Sequence, residues 1–215
     1  MIIDLHNHTT FSYDGQDLPE SIIENAIASG INIVGITDHQ FTDGFSLSEY
    51  VNTIAKLKEK YKNQIVIKTG LEIGTRPKPD NLLAKSASKV LDFCLFESLD
   101  HQKGMDLYEF LEWRRLFSCP VGLAHTDIFL LSERYGVDML RLLHDNDIFW
   151  EINTSGNYPY YYDFITNAEK RKKVKESKIT LSVGSDTHSV VGYNKRKIVS
   201  ANELLKELGN KVLFL

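Results

Sequence analysis

The chain has 215 residues, 42% of them hydrophobic and 25% charged. That is enough for one compact core with little length left for a second, so a single domain over residues 1–215 is expected. A formal charge of −4 and a pI near 6.0 exclude a global electrostatic pull toward nucleic acid or acidic membranes, and leave a small anionic substrate open.

No run approaches the roughly 18 apolar residues of a membrane span. Met1 to His8 also lacks the basic-then-apolar pattern of a leader, so a cytoplasmic location is the default expectation. Cys94 and Cys119 form neither a CxxC pair nor part of a Cys/His zinc pattern, and are expected to be buried, reduced and non-ligating.

Short apolar runs rich in β-formers alternate with longer stretches of helical period. The first run, Ile2 to Leu5, leads into Asp4-Leu5-His6-Asn7-His8. Strand side chains alternate faces, so His6 and His8 project together and can grip one metal. A helix over about 19–29 follows, with Pro19 in its first turn and Gly30 placed to end it. The second strand, Ile31 to Ile36, ends in Thr37-Asp38-His39. A helix over about 47–62 then precedes the third strand, Ile65 to Thr69, which ends at Gly70-Leu71-Glu72.

A helix over about 79–89, opened by Pro79-Asp80, leads to the fourth strand, Val90 to Phe96, and on through Glu97-Ser98-Leu99-Asp100 to His101. After a helix over about 106–116, the fifth strand, Val121 to Ala124, delivers His125. A helix over about 135–145 carries His144 and precedes the sixth strand, Ile148 to Ile152. A helix over about 162–176, a seventh strand from Ile179 to Val183 ending at Asp186-Thr187-His188, and a helix over about 200–208 before Gly209 complete the chain. Seven strand-then-helix units predict parallel strands with right-handed crossovers. Periodicity alone does not choose between a closed barrel and an open doubly wound sheet.

Six of the seven histidines fall at or just beyond the C-terminal end of an expected strand, where α/β folds place their active sites. Any one of them has an ordinary structural explanation, which His144 keeps. An HxH pair, an isolated strand-end Glu, further strand-end histidines and an Asp-x-His converging on one edge point instead to a metal centre. Imidazole and carboxylate together suit Zn, Fe or Mn better than Ca or Mg, and the donors outnumber the needs of one tetrahedral zinc. Two or three divalent ions with a bridging carboxylate use them economically.

These residues resemble the PHP superfamily, named for its polymerase and histidinol phosphatase members. The first motif resembles Asp4-Leu5-His6-Asn7-His8-Thr9 followed by Ser12-Tyr13-Asp14-Gly15, the second Gly35-Ile36-Thr37-Asp38-His39, and the last Gly184-Ser185-Asp186-Thr187-His188. Glu72 and His101 match the third motif, and His125 the histidine that follows it, although Thr126 stands where many members have Pro. The resemblance spans residues 4–188 in order. It implies a distorted (βα)7 TIM-like barrel with a trinuclear site: His6, His8, Glu72 and Asp186 on the first ion, Glu72, His101 and His125 on the second, and Asp14, His39 and His188 on the third.

Such ligands permit hydrolysis of a phosphomonoester or phosphodiester by a metal-bound hydroxide, with Asp186 or His188 relaying a proton to the leaving oxygen. Arg76 and Arg196 are the candidate phosphate contacts, ahead of Lys78 and Lys103, because a guanidinium binds phosphate bidentately. The tyrosine-rich loop Asn153 to Tyr162 covers the site, stacks on an aromatic leaving group, or packs over the barrel mouth. The expected partner is a small phosphorylated substrate, with nucleic acid entering only as a nucleotide or short oligonucleotide. Histidinol phosphate, a nucleotide, a phosphotyrosine peptide and a sugar phosphate all fit. Two other readings compete: a non-catalytic regulatory PHP domain, and an amidohydrolase-type C–N or C–O hydrolase, against which the fourth strand lacks the lysine often used as a carbamate bridge.

Overall fold

The computed structural model describes residues 1–75, 86, 88–101 and 104–215. The expected helix over about 79–89 lies almost wholly outside them, as do Arg76, Lys78 and Lys103. Two parallel ladders form the centre. One orders β1 (Ile3–Asp4), β2 (Ile33–Ile36) and β3 (Val66–Thr69). The other orders β4 (Glu72–Gly74), β5 (Cys94–Glu97), β6 (Val121–Leu123), β7 (Ile148–Asn153) and β8 (Leu181–Gly184). Every pairing is parallel.

Backbone bonds link the ladders at both seams. On one side Glu72 N–H donates to Asp38 O (3.1 Å) and Gln40 N–H to Glu72 O (3.3 Å). On the other, Leu5 N–H donates to Val183 O (2.8 Å), Asp186 N–H to His6 O (2.9 Å) and His8 N–H to Thr187 O (2.8 Å). The strand order therefore follows a (βα) barrel, distorted where the ladders meet.

The third expected strand is the one that breaks, into β3 and β4 around Gly70-Leu71. A Cβ at Gly70 would stand 2.6 Å from both Phe93 Cζ and Thr37 Cγ2, so only glycine lets the chain pass. Beside the break, the fully buried Tyr50 hydroxyl faces Ile36 O (2.7 Å) and Gly70 O (2.9 Å), supplying a donor where the ladder is interrupted.

The outer helices are α1 (Pro19–Ala28), α2 (Leu47–Tyr61), α3 (Leu107–Arg114), α4 (Ile128–Tyr135), α5 (Met139–Asp145), α6 (Pro159–Thr166), α7 (Ala168–Ser177) and α8 (Lys195–Leu208). Three depart from expectation. The helix expected over about 135–145 is α5, which begins later at Met139, and α4 precedes it unforeseen, ended by Gly136 with a left-handed φ of 63°. In place of one over 162–176 there are α6, begun by Pro159, and α7, with Asn167 between them accepting from Lys170 N–H. The last helix begins at Lys195, after the Asn194 cap.

Near the N-terminal ends of the strands Phe93 packs against Phe149 (6.3 Å between ring centres) and Phe214 (5.7 Å). The fully buried rings of Phe93 and Phe149 stabilise by roughly 1.5–3 kcal/mol each, and leave the opposite edge free for polar groups. Cys94 and Cys119 are free and buried, with Sγ atoms 3.8 Å apart. His144 is exposed on α5. Among the described residues no helix is long and apolar enough to cross a membrane.

Candidate metal centre

At the C-terminal edge of β1 the side chains of His6 and His8 are fully buried, and their Nε2 atoms stand 3.0 Å apart. Their other ring nitrogens are tied outward, His6 Nδ1 to Glu151 Oε1 (2.7 Å) and His8 Nδ1 to Ser12 Oγ (3.2 Å). Both Nε2 atoms therefore face Glu72, each 3.3 Å from one of its oxygens, and Asp186 Oδ1 at 3.6 and 3.3 Å. Two imidazoles fixed from behind, with lone pairs converging beside two carboxylates, have the donor chemistry of a divalent transition-metal site.

The neighbouring groups extend this arrangement. His125 Nε2 meets Glu72 Oε1 at 2.9 Å, while its backbone N–H donates to Glu151 Oε2 (2.8 Å) and its ring stacks on Tyr158 at 4.3 Å. Asp14 Oδ2 lies 3.5 Å from His39 Nε2 and 3.2 Å from His188 Nε2, and His188 stacks on His8. His39 Nδ1 and Asp14 Oδ1 are buried without a hydrogen-bond partner, although His39 Nδ1 is only 3.1 Å from Glu72 Oε2. Buried polar atoms left without a partner are costly unless a cation satisfies them, so the residues fit the ions the motifs imply.

His6, His8, Asp14, His39, Glu72, His125, Asp186 and His188 thus come together, in the groups His8/Asp14/His39/His188, His6/Glu72/His125 and His6/His8/Asp186. His101 is exposed in the turn beyond β5 and belongs to no such group among the described residues. Arg76 lies outside the described residues, and Arg196 is exposed in the first turn of α8.

Three carboxylates at the site escaped sequence reasoning. Glu151 on β7 holds His6 and His125 in place. Asp38 accepts from Thr9 N–H (2.6 Å), Thr9 Oγ1 (2.8 Å) and Ser12 Oγ (2.7 Å), and so pins the loop between His8 and Asp14. Glu97 ends β5 in a fourth donor group with His39 and Glu72. The available signal was a lone acid inside an apolar strand, as in Ile148-Phe149-Trp150-Glu151-Ile152.

Without ions the site is strongly polarised. Burial opposes charge on His8, but hydrogen bonds to Asp186 and Glu72 outweigh it and carry the imidazole up to about 9. His6 is likewise raised, the charges of Glu151, Glu72 and Asp186 overcoming its burial. Burial would raise Glu72, yet His6 and His125 hold it well below the usual carboxylate range. Burial takes His39 down to about 4, and burial together with Glu72 pushes Glu97 up to about 7. Ser98, His125 and Asp186 also hold left-handed backbones (φ 63°, 30° and 55°), a strain of about 1–3 kcal/mol each, gathered at the strand ends that carry the site.

A PHP domain model matches residues 4–208. The chain belongs to the PHP domain family. It is 35% identical over 78 residues to the histidinol-phosphatase of Lactococcus lactis subsp. lactis (strain IL1403), a match covering 34% of this chain and 29% of that relative. The chain therefore matches under a third of that protein's length.

The solved structure of histidinol phosphate phosphatase (HISK) from Lactococcus lactis subsp. lactis Il1403, complexed with Zn, L-histidinol and phosphate, aligns with a TM-score of 0.73 at 21% identity. The alignment covers 99% of this chain and 95% of that one. The hisK structure from Listeria monocytogenes aligns at 0.66 and 16% identity, over 89% and 97%. At these identities the likeness carries the fold, and the PHP architecture expected from the motifs is the one present.

Proposed function

We propose that this PHP member is a metal-dependent phosphatase acting as one domain, with histidinol phosphate its first candidate substrate. The observation that carries the reading is the convergence of His6 Nε2, His8 Nε2, Glu72 and Asp186 Oδ1 on one buried point at the barrel's C-terminal edge. The stretch shared with a histidinol-phosphatase, and a fold shared over 99% of the chain with a structure holding Zn, L-histidinol and phosphate, support the substrate class.

In this reading His6, His8, Glu72 and Asp186 hold a first ion, Glu72 and His125 part of a second, and Asp14, His39 and His188 a third. Zn, Fe or Mn suits the nitrogen and oxygen donors. Such ions supply a water nucleophile active near neutral pH and a positive field for a phosphoryl group. The protein's part is positioning: Glu151 fixes the His6 ring, Ser12 the His8 ring, and Tyr158 the plane of His125.

Of the two proton carriers proposed, His188 is the better placed to exchange with solvent. Its side chain is 34% exposed against 6% for Asp186. Arg196 and Arg76 remain the candidate phosphate contacts. Glu97 at the end of β5, where an amidohydrolase often carries a lysine, favours phosphoester over amide hydrolysis.

The test is a phosphoester panel including histidinol phosphate, a nucleotide, a phosphotyrosine peptide and a sugar phosphate, run with Mn, Zn and Fe on wild type, His8→Ala and Asp186→Ala. Turnover of one class that both substitutions abolish is the expected result. A metal-replete wild type inert to the whole panel would favour the regulatory reading instead. Wild-type turnover in both variants, in metal-defined buffer, would sink the cluster mechanism.

A further inference from the structure

The motif resemblance gives the second ion three ligands, Glu72, His125 and His101, and among the described residues the third stands outside the donor groups that hold the other two. His101 sits in an exposed turn, its N–H on Ser98 O at 3.2 Å. What β5 itself delivers to the site is Glu97. Its neighbour across the ladder is Gly74, where an added Cβ would stand 3.3 Å from Glu97 Oε1, so the small residue leaves the carboxylate its place.

Glu97, Glu72 and His39 each offer a donor atom within 4.8 Å of the others. His39 is only 6% exposed, and its unpartnered Nδ1 lies 3.1 Å from Glu72 Oε2 and 3.9 Å from Glu97 Oε1. Two carboxylates and an orphaned nitrogen sharing a sheltered space repel or go unsatisfied unless a cation lies among them. His125 reaches the other oxygen of the same carboxylate, with its Nε2 2.9 Å from Glu72 Oε1, so Glu72 is common to the Glu97 group and to the group that holds His125.

We propose that Glu97 is a ligand of the second ion, joining Glu72 and His125 in the role the motif assigns to His101. A carboxylate in place of an imidazole adds one negative charge and a harder donor, which shifts the site's preference toward Mn or Fe relative to an all-imidazole partner set. The inference rests on the metal-dependent reading above for the presence of ions. Metal content tests it whether or not any phosphoester is turned over.

The experiment is a titration of the metal-free full chain with Zn2+ or Mn2+ against a chromophoric chelator, with bound metal counted by elemental analysis, for wild type, Glu97→Gln, Glu97→His and His101→Ala. Glu97→Gln is expected to lose one equivalent, or to weaken it by at least about tenfold. Glu97→His should retain the count with a changed Co2+ absorption spectrum, and His101→Ala should keep the wild-type count and affinity. Full metal content in Glu97→Gln overturns the proposal. So does loss of an ion in His101→Ala, a result that stands even where Glu97→Gln fails to fold. A wild type that binds no metal at all would instead defeat the function proposed above, while metal bound without turnover leaves the ligand test intact.

Discussion

Glu151 Oε1 accepts from His6 Nδ1 at 2.7 Å, and the same carboxylate takes His125 N–H at 2.8 Å and Asn153 Nδ2 at 3.1 Å through its other oxygen. One buried group on β7 thus fixes two imidazoles delivered by β1 and β6. Glu151→Gln keeps the shape but replaces one acceptor with an NH2 that faces other donors. Metal affinity should fall about 10–100-fold, and the metal-free protein should lose about 1–3 kcal/mol to the unmatched donors. Chelator competition and urea unfolding measure the two effects. Affinity within twofold of wild type would show that Glu151 does not orient His6.

Metal uptake should release protons. In the ion-free protein His8 holds its proton up to about 9, and His6 is raised in the same direction. Glu72 and Asp186 are held below their usual range and are already charged at neutral pH, and His39, held at about 4, is already neutral, so none of these three has a proton to give. An ion needs the lone pairs of His6 and His8, so it competes with their protons. Affinity must therefore rise with pH, by about tenfold per unit for each proton displaced, and level off only once both His6 and His8 are neutral. Zinc added to metal-free protein in weak buffer near pH 7 should acidify the solution. A zinc affinity that is flat between about pH 6 and 8 would contradict the assignment.

The strand ends and the HxH geometry were legible because period-two alternation and the placement of histidines are local signals. The helices α4 and α6 were less so. Asp127, which caps α4 by accepting from Phe129 and Leu130 N–H, and the Pro159 start of α6 were both written in the sequence. Glu151 and Glu97 were not legible for a different reason. Their roles depend on strands far apart in sequence, 145 positions in the case of His6 and Glu151, which register alone brings together. His101 is a residue of the right type near the right strand end, and it lies exposed in the turn beyond β5, where Ser98 takes φ 63°.

Gly184 and Gly122 offer a paired test of where the site begins. A Cβ at Gly184 would meet Glu151 Oε1 at 2.1 Å and His6 Cβ at 2.4 Å, whereas one at Gly122 would meet the Phe149 ring at 2.1 Å. Both alanine substitutions overpack the barrel and should cost about 1–3 kcal/mol or more in urea unfolding. Only Gly184→Ala should also lower zinc affinity, since it displaces the pair that aims the first ligand. Equal zinc affinity in the two variants would mean that the Glu151 and His6 contact is packing and nothing more.

Tyr158 lies over His125 with ring centres 4.3 Å apart and planes within 5°. Burial first, then the charges of Asp186 and Glu72, holds its phenol above its ordinary value, so the hydroxyl stays neutral and is no candidate base. Its contribution is the ring face, which fixes the plane of an imidazole whose Nε2 must point at Glu72. Stacked aromatic pairs are worth about 0.5–1.5 kcal/mol beyond their buried area, or about two- to tenfold in an equilibrium or a rate. Tyr158→Phe should therefore stay close to wild type. Tyr158→Ala should lose about two- to tenfold in zinc affinity, and a similar factor in kcat/KM on whichever phosphoester is hydrolysed. Equal losses in the two variants would place the effect on the hydroxyl, and the loop would then act on the substrate or on solvent rather than on the orientation of His125.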